Sequence, residues 1–392
     1  MKRLLVWVAV VLLVVIAGAF AFLPGYVDGD MNRVSETSPP AVADSVKAFH
    51  DSLFVVDLHA DQLLWSRDLL DRSSRGHVDV PRLVDGRVAL QVFSAVTKTP
   101  RGLNFDRNTG DSDTITLLAV AQRWPVATWS SLTARALHQA SRLRDAEQRA
   151  SGRLTIVRTG EDLARFLARH ANAPARDVVA ALLAIEGLHA LDGKLENVDT
   201  LYAAGYRMMG LTHFFDNEVA ASAHGVSHAG LTPFGRQVIA RMESLGIIMD
   251  FAHVSPKAIE EALAIATRPM VVSHTGVAAT CPGPRNLSDD QLRAIAAKGG
   301  LIGIGYFEGA VCGSGASSIV RAILHAVRVI GASHVALGSD FDGAVETPWD
   351  TRGVPQITAA LMQQGMPRDD IRAVMGGNAR AFLLANLPPA VR

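Results

Sequence analysis

Between residues 54 and 339, short apolar runs alternate with longer stretches of helical periodicity. The runs are Phe54–Leu58, Ala89–Ser94, Ala181–Ile185, Met208–Thr212, Ile247–Ala252, Met270–Ser273, Leu301–Tyr306 and Val335–Ser339. Each is nearly continuous in hydrophobicity, as a strand covered on both faces requires. Thr232–Leu245 reads as a helix between two of them, with Pro233 in its first turn and Gly246 just past its end. Ser288–Lys298 reads as another, opened by a serine N-cap and followed by Gly299-Gly300. Residues 110–170 form a longer, mostly helical excursion between the second and third runs. Eight strand–helix units predict an α/β fold, a (β/α)8 TIM-like barrel with insertions. A doubly wound open sheet would share the pattern, but no G-x-G-x-x-G follows any of the strands.

The N-terminus is patterned differently. Met1-Lys2-Arg3 precedes an uncharged apolar run from Leu4 to Leu23, long enough as a helix to cross the ~30 Å hydrocarbon core of a bilayer. Lys2 and Arg3 before it, with Asp28 and Asp30 after it, orient the N-terminus toward the cytoplasm. The expectation is a single-pass transmembrane helix or signal anchor over residues 1–24, a linker over 25–45, and a folded domain over 46–392. That domain would sit on the extracytoplasmic side of the cytoplasmic membrane. The alternative is a secreted chain cut near Ala21, because Ala19-Phe20-Ala21 fits the small-x-small cleavage pattern.

Composition narrows the picture. The chain has 392 residues, 49% of them hydrophobic, which is ample for one large core. Its formal net charge is +0, so it lacks the basic excess of a nucleic-acid binder. Cys281 and Cys312 are the only cysteines, and an exported chain can oxidise them; the alternative is two buried free thiols.

Polar residues concentrate at one end of the strands. The first finishes at His59 and Asp61, the third at Glu186 and the fourth at His213. The fifth finishes at His253, the sixth at His274 and the eighth at Asp340. Residues i and i+2 of a strand share a side, so His59 and Asp61 project together. In a barrel all C-terminal strand ends meet on one face. A single strand-end histidine is more often a hydrogen-bonded core residue than a ligand. A whole rim of histidines and carboxylates is a metal site. Imidazole and carboxylate without thiolate suit Zn²⁺ or a similar divalent ion, and more than four such ligands suit two ions. H-E-x-x-H is absent, which excludes a helix-based zincin.

An ordered series of segments resembles the membrane dipeptidases, the renal dipeptidase-type peptidase family M19. It runs through "DLHAD" (57–61), "AIEGLHAL" (184–191), "GLTHFFDNEVAASAHG" (210–225), "MDFAHVS" (249–255), "VVSHTGV" (271–277), "PRNLSDDQL" (284–292) and "LGSDFDG" (337–343). The resemblance implies a metallo-dipeptidase with two zinc ions per chain, acting on dipeptides through a metal-bridging hydroxide. His59 and Asp61 would bind one ion, His253 and His274 the other, and Glu186 would bridge them. His213 would contact the substrate and the developing oxyanion, Arg285 would hold the substrate, and Asp340 would handle protons. The competing reading of Arg285 is a structural ion pair with Asp289 or Asp290. Cys281 and Cys312 sit where relatives carry a disulfide. The membrane, through the N-terminal helix, and a second copy in a homodimer complete the partners, with no nucleic acid among them. Two other functions compete: a binuclear amidohydrolase of cyclic amides, lactones or N-acyl groups, and a catalytically silent tethered binding protein.

Overall fold

Nine parallel strands follow one another along the chain: β1 (Val55–Ala60), β2 (Val88–Val96), β3 (Leu154–Ile156), β4 (Val179–Glu186), β5 (Tyr206–Gly210), β6 (Ile248–Asp250), β7 (Val271–Thr275), β8 (Leu301–Ile304) and β9 (Val335–Leu337). They belong to a computed structural model that describes residues 2–36, 38–172, 177–313 and 315–390. β1 pairs with β2 on one side and with β9 on the other. β2 then pairs with β4, and β4 through β9 run in chain order, so eight strands close on themselves. This is the expected barrel, built from the eight expected runs. β3 is additional. It pairs only with the first residues of β4, Leu154 opposite Val179, and three residues inside a helical region leave no periodicity to recognise.

Strand alternation divides the apolar side chains into two sets. Val56, Leu90, Leu182, Met208, Ile248, Val271, Leu301 and Ala336 pack in one cluster, to which all eight closing strands contribute. Only the inside of a closed barrel brings such residues together. The alternate residues, including Phe93, Leu183, Met209, Val272 and Ile302, join the larger cluster with the surrounding helices. Both faces are therefore dry, which explains the unbroken apolar runs.

The surrounding helices are capped as their sequences suggest. Pro233–Leu245 starts after Thr232, whose hydroxyl accepts from the Gly235 amide, and stops at Gly246, held at φ 73°. Asp289–Ala297 starts with a reciprocal box between Ser288 and Gln291. Cys281 and Cys312 form a disulfide joining the segment after β7 to the segment after β8.

The N-terminal segment departs most from expectation. α1 spans Lys2–Met31 without stopping at Leu23 or at Pro24. The membrane-spanning helix is not supported: among the described residues, no helix is long and apolar enough to cross a membrane. The apolar run forms only the first part of α1, and polar residues occupy the rest. Those polar residues attach α1 to the barrel. Asp28 is fully buried and accepts from Arg67 Nε at 2.9 Å and Arg75 Nε at 3.1 Å. Arg67 in turn pairs with Asp342, 2.8 Å away, on the loop after β9. Asn32 Oδ1 accepts from the Ala344 amide, and Val34 bridges Thr347. Residues 28–36, within the stretch read as a linker, thus lie against the barrel.

Asp28→Ala would leave Arg67 and Arg75 without one shared counter-ion. Removing one member of a buried charge pair costs about 3–5 kcal/mol. A denaturant titration should show this loss for Asp28→Ala, and a loss below about 1 kcal/mol would mean that α1 is not held by this pair.

Candidate metal centre

The C-terminal ends of six barrel strands deliver side chains to one point. His59 is the penultimate residue of β1 and Asp61 lies just past its end, whereas β4 ends on Glu186. His274 lies within β7, whereas His213, His253 and Asp340 lie just past β5, β6 and β9. The turns that aim them are sharp. His253 and Asp340 both have φ 63°, and Gly187 has φ 88°. Left-handed backbone costs a non-glycine residue roughly 1 kcal/mol, so both side chains are held in place by their surroundings. At Gly187 a Cβ would lie 2.3 Å from His189 Cε1, so "EG" admits no larger residue without movement.

Glu186 stands at the centre. Its Oε1 is 2.8 Å from His253 Nε2, 3.3 Å from His274 Nε2 and 3.8 Å from His59 Nε2. Its Oε2 is 3.2 Å from His213 Nε2. His59 Nε2 lies 3.4 Å from Asp61 Oδ1 and 3.8 Å from Asp340 Oδ1. The Nε2 atoms of His253 and His274 face each other at 3.1 Å.

Electrostatics make this cluster incomplete by itself. Burial pushes the Glu186 and Asp61 carboxyls well above the usual carboxylate range. Asp340 is pushed up to about 8, first by burial and then by Asp61. Burial also holds His213, His253 and His274 neutral, with lone pairs free. His59 Nε2, Asp61 Oδ1 and Glu186 Oε1 are buried without a hydrogen-bond partner. Such atoms are costly unless a cation completes them. The donor set therefore fits divalent metal: neutral imidazoles and carboxylates, converging and unsatisfied.

Two further carboxylates, Asp57 and Asp250, hold the rim together. Asp57 accepts from the His59 amide at 3.2 Å, the Ser339 amide at 2.8 Å and the Ser339 hydroxyl at 2.5 Å. It thereby ties the His59 strand to the strand leading into Asp340. Asp250 does the same on the other side, accepting from the Ala252 and Ser273 amides at 3.0 and 2.8 Å. The hydroxyl of Ser273 lies 2.9 Å from His274 Nδ1 and 3.4 Å from His59 Nδ1. It orients two rings through the nitrogens that face away from the centre. An aspartate two or three residues before a strand-end histidine was the available signal.

Arg285 is buried beside the centre. Its Nη2 donates to the His274 carbonyl at 2.6 Å, and its Nε is buried without a partner. The competing ion pair is absent: Asp290 pairs with Arg293, and Asp289 with Arg293 and His325. A cavity of about 470 Å³ opens over Asp61, Glu186, His213, His253 and Asp340.

The sequence profile of the family described as "Membrane dipeptidase (Peptidase family M19)" matches residues 43–383. The chain belongs to this family. As a family member it is an enzyme of the metallo-dipeptidase class. It is 28% identical over 346 residues to the dipeptidase tcpJ of Claviceps purpurea, covering 85% of this chain and 72% of that one. The fold matches the dipeptidase PvdM of Pseudomonas aeruginosa, described as probable, with a TM-score of 0.72 at 20% identity, over 88% of this chain and 97% of that one. It also matches a metallo peptidase from Rhodobacter sphaeroides solved with a phosphinate mimic of the dipeptide L-Ala-D-Ala. That match has a TM-score of 0.67 at 23% identity, over 86% of this chain and 99% of that one.

His189, beside the family's "EG" turn, gives the dipeptidase fold a specific acid sensitivity. Burial, with Lys98 adding to it, lowers its pKa to about 3, and both ring nitrogens lack partners. The unfolded chain protonates this histidine near 6.5, and the folded chain does so only near 3. The unfolded state therefore binds the extra proton within that window, and stability falls as pH drops through it. Between pH 6 and 4, His189→Leu should have a pH slope of unfolding free energy shallower than wild type by about 1.4 kcal/mol per pH unit. Equal slopes would show that His189 takes up its proton without unfolding.

Proposed function

We propose that this chain hydrolyses the peptide bond of dipeptides at a two-zinc centre on the barrel rim. One observation carries the reading: Oε1 of Glu186 lies within 3.8 Å of the Nε2 atoms of His59, His253 and His274, so this carboxylate stands between both proposed ligand pairs. His59 and Asp61 would hold one ion, His253 and His274 the other, with Glu186 shared. Ions bound there would supply polarisation of the scissile carbonyl and a water acidic enough to ionise near neutral pH.

The protein's own groups do the rest. Asp340, pushed up to about 8, can take a proton at neutral pH and return it to the leaving amine. The His213 ring, held neutral by burial and 3.2 Å from Glu186, would donate to the oxygen that becomes negative. Arg285, whose Nε is buried without a partner beside the centre, would pair with the substrate carboxylate and so favour a free C-terminus one residue past the scissile bond. The dipeptide mimic seen in the Rhodobacter sphaeroides relative supports this substrate class.

A panel of dipeptides and their C-terminally amidated forms tests the reading. Wild type should prefer free dipeptides, lose activity on chelation and regain it with Zn²⁺ at about two ions per chain. Asp340→Asn should lower kcat by roughly 10²–10⁴ while metal content stays unchanged. A chain that cleaves lactones or N-acyl groups but no dipeptide would sink the proposal.

We also propose that the domain lies outside the cytoplasmic membrane, held to it by the apolar part of α1. Exposed Leu4, Leu5, Trp7 and Leu12 supply the surface, and the disulfide suits an oxidising compartment. Fractionation with N-terminal sequencing decides: intact chain in the membrane fraction supports it, and a soluble form starting near Phe22 overturns it.

A further inference from the structure

α1 does more than attach to the barrel. Val27 and Met31, one helical turn apart and therefore on one face, both line the cavity that holds Glu186 and Asp340. We propose that the last turn of α1 is a wall of the substrate pocket, and that Val27 and Met31 select dipeptides bearing a large apolar side chain. This rests on the dipeptidase reading and specifies its substrate class.

Five observations support it. The turn is fixed against the barrel, because Asp28 between the two residues is buried on Arg67 and Arg75. Arg67 also grips Asp342, two residues beyond Asp340, so the wall and the catalytic loop share one support. The wall is apolar: Val27 packs against Leu64, Trp65 and Ile115, which form a separate cluster at the cavity. A charged substrate side chain would find no partner on that cluster and would lose its water. Finally, Met31 is 44% exposed, a flexible apolar side chain left open on the cavity lining. At about 470 Å³ the cavity falls within the range for small-molecule sites, roughly 300–1,000 Å³, so it leaves room beyond a Gly-Gly backbone.

The test compares kcat/KM for Leu-Leu and Gly-Gly in the full-length zinc-loaded enzyme. Val27→Ala/Met31→Ala should lower the Leu-Leu to Gly-Gly ratio about tenfold, the usual scale for a few lost apolar contacts. Val27→Trp, which fills the same space, should lower it as well. Tyr26→Ala alters a neighbouring side chain that is 71% exposed and absent from the cavity lining, and it should leave the ratio unchanged. If Val27→Trp disturbs the core, Met31→Ala alone decides, because its site is partly exposed. A wild type that cleaves both peptides with a ratio these variants do not change overturns the role of α1 alone. A wild type that cleaves no dipeptide overturns the dipeptidase reading, and this inference with it.

Discussion

The rim of this barrel is organised by one electrostatic problem. Asp61, Glu186 and Asp340 are buried together around neutral histidines, and Arg285 is the cation that bears on both Glu186 and Asp340. Bringing carboxylates out of water without counter-charge costs several kcal/mol each, which a stable domain cannot sustain for no return. The converging, unsatisfied donors of the cluster fit a metal site. The strained turns at His253 and Asp340 and the pinned strand ends all keep that site in shape.

Rigidity at the rim comes from hydrogen bonds between strands more than from the ligands. Asp57 and Asp250 each accept amides from their own strand end and from the strand end that carries another functional residue. These carboxylates fix relative strand positions where the ladder itself has register shifts, between Asp57 and Ala60 and between Val272 and Thr275. Ser273 then sets two imidazole rings at once. Precision of a few tenths of an ångström in a metal site needs such secondary bonds.

Much of this was legible in the amino-acid order, for physical reasons. Strands buried on both faces are continuous apolar runs, and a polar residue ending such a run is conspicuous, so the barrel strands and the histidines and carboxylates at their ends could be read. β3 could not, since three residues paired to half a strand leave no period. The docking of α1 was hidden differently: an apolar run predicts burial, and only the three-dimensional position of Arg67 and Arg75 shows that Asp28 needs a buried partner. Ser339 and Asp250 looked like ordinary polar residues, because their role depends on a neighbouring strand distant in sequence.

The attachment of α1 has a consequence for how such enzymes are compared. The shared family region begins at residue 43, but the cavity lining begins at Val27. This helix lies outside the matched region and is joined to the barrel chiefly through the buried Asp28 and the contacts of Asn32 and Val34. A wall of the cavity is thus supplied by a segment that comparison of barrels alone would leave out of view.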